Sequence, residues 1–172
     1  MAKSKKVWII LLVILIPLIP FIYIALAWTV VGIGMWVFTP NPARPEETYG
    51  EFPFELIYEI DGETITINDI YVCEYDGITC DTGSGKYRTW NGYVKSTGDD
   101  VVVLYKDNIT TIHCYVGDAE YYMDDEKYPE QRPFKPRFYI GSLPISTDQL
   151  LQRYKIRIVS WSLSEPIENS FD

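Results

Sequence analysis

The sequence predicts a mainly β domain, a sandwich-like or partly open barrel fold with one or two short helices, carried behind an N-terminal transmembrane helix. Three observations predict it. The stretch from Val7 to Phe38 is apolar and holds no Asp, Glu, Lys, Arg or His. From Phe52 onward apolar and polar residues alternate with a period of two, the pattern of half-buried strands. Turn pairs such as Asp61-Gly62, Asp76-Gly77 and Asp107-Asn108 recur between these runs, at the spacing of an antiparallel all-β fold.

The apolar run comes first. A helix needs about 20 apolar residues to cross the hydrocarbon core of a bilayer. Residues 7–38 would reach about 48 Å at about 1.5 Å per residue, so tilt, protrusion or a kink must absorb the excess. Pro17 and Pro20 each remove a backbone donor and would supply the kink. Trp8 and Trp36 fit the aromatic belts at the two interfaces. Lys3, Lys5 and Lys6 form a basic tail over residues 1–6, and the flank rich in Lys and Arg stays in the cytoplasm. The C-terminal domain is therefore expected outside the plasma membrane. A cleaved signal peptide is the rival, since Ala25-Leu26-Ala27 has a small-x-small cleavage pattern. Against cleavage, the apolar run continues well past that point, whereas signal cores are only about 7–15 residues long. The segment has no charge for an ion or proton relay. It also lacks the small-xxx-small spacing of a helix dimer.

Residues 39–45 hold three prolines and read as a short extended spacer. Residues 46–172 make one domain's worth of chain. All 24 acidic residues follow the apolar run, against 12 of the 15 basic ones. Such an acidic domain repels nucleic acid and anionic headgroups. Solubility is the first consequence of that charge, and cationic partners the second.

Along the domain, Phe52, Phe54, Leu56, Tyr58 and Ile60 alternate with polar residues, and Asp61-Gly62 turns the chain. Ile65 and Ile67 follow, and Ile70 to Tyr75 leads into the Asp76-Gly77 pair, read as a second hairpin turn. Residues 81–85 read as a loop and residues 86–95 as an aromatic strand interrupted at Asn91-Gly92. Residues 101–106 and 109–116 read as strands joined at Asp107-Asn108. Asp118 caps a short helix through Met123. Residues 129–136 form a loop and Phe138 to Ile140 a strand. Ser146 or Thr147 caps a helix through Tyr154, with Leu150 and Leu151 inward. Residues 155–163 close the sheet, and residues 164–172 read as a tail.

Candidate chemistry is sparse. An Asp76-Gly77 hairpin would place Cys73 opposite Cys80, within disulfide reach; pairing to Cys114 and two ordinary core cysteines are the alternatives, and the odd count leaves one thiol over. Asp81-Thr82-Gly83-Ser84 matches the local signature of aspartic proteases, and a single copy would need a homodimer to pair two carboxylates. Gly83-Ser84-Gly85-Lys86 lacks the first Gly and the hydroxyl residue of a phosphate loop. His113 is the single histidine, and beside Cys114 in a strand it points to the opposite face. Asp118, Glu120, Asp124, Asp125 and Glu126 are acidic but lack the alternating spacing of a calcium loop. Asn108-Ile109-Thr110 is a glycosylation sequon, relevant only in a eukaryotic secretory pathway. Aromatic residues make up 15% of the chain, with 14 tyrosines. Tyr121, Tyr122 and Tyr128, beside Asp124 and Asp125, are the expected exposed binding residues, because exposed tyrosines stack on sugars or anchor protein interfaces.

Several stretches resemble a family of single-span, membrane-anchored proteins of Gram-positive, Clostridia-type bacteria with no known activity. They are Phe52-Pro53-Phe54-Glu55, Tyr58-Glu59-Ile60-Asp61-Gly62-Glu63-Thr64, Glu120-Tyr121-Tyr122-Met123, Ser160-Trp161 and Pro166-Ile167-Glu168-Asn169-Ser170-Phe171. The resemblance implies a bacterial plasma membrane facing the wall and carries no functional residue. The expectation is a membrane-anchored, extracytoplasmic interaction module without cofactor, whose partner is a protein or an envelope polymer and not nucleic acid. The alternatives are a homodimeric hydrolase using Asp81 and a calcium-stabilised structural domain.

Overall fold

The computed structural model describes residues 2–81, 83–125 and 135–171, with side chains from residue 16 onward. Among these described residues three helices and eight strands follow one another: α1 (Ala2–Phe38), β1 (Tyr49–Ile60), β2 (Glu63–Asp81), β3 (Gly85–Val94), β4 (Val102–Lys106), β5 (Thr111–Tyr115), α2 (Ala119–Tyr122), β6 (Arg137–Ile140), β7 (Leu143–Ile145), α3 (Thr147–Tyr154) and β8 (Arg157–Leu163). The strands form two antiparallel four-stranded sheets, ordered β3-β2-β1-β8 and β4-β5-β6-β7. The predicted mainly β architecture is thus the observed one. The chain divides into two compact units, Met1–Pro42 with Ile78–Tyr87, and Ala43–Gly77 with Arg88–Asp172.

In the first unit α1 runs unbroken through Pro17 and Pro20. Ile16–Phe38 alone gives 23 residues of mean hydropathy 2.1, none of them buried, which is long and apolar enough to cross a membrane. The tip of the β2–β3 hairpin meets the end of this helix. Lys86 Nζ donates to Asn41 Oδ1 at 2.7 Å and lies 5.0 Å from the centre of the Trp36 ring.

The second unit holds the core. Along β1 the alternation buries Phe52, Phe54, Leu56 and Tyr58 and leaves Glu51, Pro53 and Glu55 outside. Asp61 (φ 51°) and Gly62 (φ 83°) both take left-handed backbone, as a two-residue hairpin turn requires. The turn sets the register, so that Phe52 lies opposite Tyr71 and Gly50 opposite Cys73. In the second sheet one row, Val102, Cys114, Phe138 and Ile145, crosses all four strands and faces inward, each residue at most 9% exposed. The Tyr58 hydroxyl donates to the Leu104 carbonyl at 3.0 Å and joins the two sheets. Between them Tyr122 stacks on Phe52 with ring centres 4.4 Å apart.

Several expectations are corrected. Asp76-Gly77 makes no hairpin: β2 continues through it to Asp81, and β3 begins at Gly85. Twelve register pairs with β1 already fix β2 through Glu74, and they outweigh a local turn preference. Asn91-Gly92 does not interrupt β3, because glycine there serves packing: a Cβ on Gly92 would sit 2.1 Å from the Tyr71 hydroxyl. Leu151 is exposed while Leu150 is fully buried, since neighbours on a helix point about 100° apart. A short strand, β7, follows Gly141, whose φ is +56°. Ser146 caps α3 through a reciprocal capping box with Gln149.

The C-terminal residues are no loose tail. Phe171 pairs with Pro45, and Glu46 N donates to the Ser170 carbonyl at 2.9 Å. Asn169 accepts from Glu47 N and donates to the Glu47 and Met123 carbonyls. The linker therefore gives up its extended, unpaired character at Pro45.

Tyr122 is fully buried, and its hydroxyl has no hydrogen-bond partner among the described residues. A buried hydroxyl left unsatisfied costs about 1–3 kcal/mol. Tyr122→Phe keeps the stack on Phe52 and removes that cost. Urea unfolding of the full chain in detergent is expected to give a higher midpoint with unchanged slope, worth about 1 kcal/mol.

Candidate functional site

The expected site residues part company in the structure. Tyr121 and Tyr122 are buried, 5% and 0% exposed, and are core residues rather than surface anchors. The cause is α2: Asp118 caps it by accepting from Glu120 N, and its single turn points both rings into the core. Tyr128 and Glu126 lie outside the described residues. Asp125 is held by the structure: Arg88 Nε donates to its Oδ2 at 2.7 Å, and Trp90 Nε1 donates to the same oxygen at 2.8 Å. Arg88 also donates to the Ala43 carbonyl and lies 4.0 Å from the centre of the Phe171 ring. This bidentate pair, 17% and 12% exposed, ties β3, the loop after α2, the base of the linker and the C-terminal segment together. The side-chain hydrogen bond from Arg88 to Asp125 raises the guanidinium pKa. Asp124 takes left-handed backbone (φ 55°) at the end of the same turn.

The cysteines are free thiols. Cys73 and Cys80 lie seven residues apart on one strand. At about 3.3 Å per residue their separation far exceeds the roughly 7 Å limit for a disulfide. Cys73 and Cys114 are fully buried, and burial pushes each thiol up to about 12. Cys80 is half-buried.

Asp81 is exposed at the hairpin tip, where its Oδ1 accepts from Gly83 N at 2.7 Å and Ser84 N at 2.5 Å. This is the turn chemistry of an aspartate, and β3 rather than a helix follows it, which removes the N-terminus a phosphate loop needs. Asp107 closes the β4–β5 turn in the same way, accepting from Ile109 N and Thr110 N. Those two bonds hold its carboxyl below the usual carboxylate range. No three metal-ligating side chains converge among the described residues.

A different surface carries the concentration of recognition groups. Val103, His113, Tyr139 and Pro144 are register partners across β4, β5, β6 and β7, one position from the buried row, and so lie on the outer face of that sheet. Val103 is 47% exposed. His113 stacks on Tyr139 at 5.7 Å, and Tyr115 meets Tyr139 edge-on at the same distance. The Tyr115 hydroxyl donates to Asp100 at 2.5 Å, which raises the tyrosine pKa. Tyr115 and Arg137 also border an open cleft of about 630 Å³ that reaches Asp99, Asp100, Asp118 and Glu120. Sequence periodicity could not assemble this row, because its four members come from four strands and only register aligns them.

A scan against protein-family models finds no match, and no curated protein or solved structure matches significantly either.

Only thiolate attacks alkylating reagents. At pH 8 the full native chain is expected to label at Cys80 alone, and at all three cysteines in denaturant. Mass spectrometry of labelled peptides checks this, and native labelling of Cys73 or Cys114 would contradict the assigned burial.

Proposed function

We propose that this chain is a membrane-tethered interaction module whose outer domain docks a protein or envelope-polymer partner through the Val103–His113–Tyr139–Pro144 face. The observation that carries the reading is the stack of His113 and Tyr139 with Tyr115 on the solvent side of a sheet whose other side is core. Aromatic side chains held rigid by their neighbours lose little entropy on binding and dominate interface energetics. The face runs into an acidic cleft, which supplies a polar rim beside the apolar centre.

In this reading α1 is the tether and residues 1–6 stay in the cytoplasm, because Lys3, Lys5 and Lys6 stand on that flank. The domain then works outside the plasma membrane of a bacterium, as the resemblance to wall-facing anchored proteins implies. A domain net charge of this sign disfavours nucleic acid and anionic lipid as partners.

A photo-activated cross-linking residue placed at Val103 in intact cells tests the assignment, with the same residue at Glu55 on the outer face of the other sheet as control. A specific cross-link from position 103 and none from position 55 is expected. Tyr139→Ala is expected to weaken it by about 2 kcal/mol, roughly thirtyfold, as a central aromatic anchor does. Equal cross-linking from both positions would refute the docking face.

A further inference from the structure

The cleft beside this face holds a feature that neither core packing nor the docking face uses. Tyr71 is only 3% exposed as a residue, and its hydroxyl borders the cleft with no hydrogen bond to the described residues. The fold makes room for it there. A Cβ on Gly92 would fall 2.1 Å from that oxygen, and one on Gly117 would fall 2.5 Å from the ring, and both glycines line the cleft. Burial raises the pKa of this hydroxyl, and the charges of Asp118 and Asp100 raise it further, so it stays neutral with its oxygen lone pairs available. Among the described residues Asp99, Asp100, Asp118 and Glu120 line this cleft together with Arg137, which reaches Asp118 at 3.7 Å.

We propose that this cleft is a binding site for a primary alkylammonium group, with the Tyr71 hydroxyl as the acceptor at its floor and Asp100 and Asp118 as the countercharge. The proposal deepens the docking-face reading and rests on it, since Tyr115 and Arg137 border both. An ammonium offers three donors and no acceptor. It therefore matches a neutral phenol oxygen flanked by carboxylates. A neutral sugar would bury the same carboxylates without a countercharge. A hard cation needs more converging oxygens than the described residues bring together. The ammonium can come from a lysine side chain of a partner protein or from a free polyamine.

The test is a titration of the full chain in non-ionic detergent, followed by the amide resonances of Gly92 and Gly117. The probes are butylammonium, a peptide with one lysine, spermidine, and butanol as the uncharged control. Saturable shifts are expected with the three amines at concentrations up to about 10 mM, and none with butanol. A tighter response to the peptide assigns the source to a protein, and a tighter response to spermidine assigns it to free polyamine. Tyr71→Phe keeps the ring and removes the hydroxyl, and Asp118→Asn keeps an equally good helix cap. Each is expected to weaken butylammonium binding about tenfold or more while the rest of the spectrum stays native. Equal shifts with butanol, no saturation, or wild-type titration of both variants would overturn the proposal. If that happens while Val103 still cross-links, the ammonium pocket alone is lost. If the cross-link fails too, the docking face falls with it.

Discussion

Burial of alternate side chains along β1 is the constraint on which the β-rich domain rests. Phe52, Phe54, Leu56 and Tyr58 face inward within one twelve-residue strand that pairs on both edges, with β2 and with β8. A slip of one residue would turn all four to solvent. Burying four such side chains stabilises by roughly 1.5–3 kcal/mol each relative to exposure. That penalty holds the register of β2, which in turn places Tyr71 opposite Phe52 and Cys73 opposite Gly50. The Phe52–Tyr122 stack and the bond from Tyr58 to Leu104 then carry the same constraint into the second sheet.

The outer surfaces follow from this inner order. The second sheet presents its Val103–His113–Tyr139–Pro144 row outward because Val102, Cys114, Phe138 and Ile145 are committed inward. The cleft exists because Tyr71 extends past two glycines instead of ending beneath ordinary side chains. Just after the C-terminal end of α2, the ion pair of Arg88 and Asp125 gathers four chain segments. Its charge-assisted bonds are partly shielded from water and so suffer less screening than a surface pair would.

Much of the fold was legible in the chain because its signals are local. Asp61-Gly62 turns where it should, Asp107 closes its hairpin, and Asp118 and Ser146 cap the helices they precede. The misreadings share one physical origin, the long-range contact. Asp76-Gly77 has the right residues for a turn but lies in a strand held by β1. Tyr121 and Tyr122 sit among acidic residues, which reads as surface, yet their burial comes from Phe52 and Tyr71 some fifty to seventy positions earlier. The C-terminal segment has no periodicity, and Asn169 holds it through bonds to Glu47 and Met123. The outer aromatic row was illegible for the same reason, although His113 and Cys114 on opposite faces were correctly separated.

The pairing of Pro45 with Phe171 brings two distant segments that flank the β-rich domain to one place. Topologically its chain is almost a closed loop. A few added residues could join the two ends, and the chain could then be opened instead at an exposed turn such as residues 96–99, with every strand pair retained. Chain order and three-dimensional order are thus separable in this domain. The fold itself is indifferent to which end of the loop joins it to the rest of the chain.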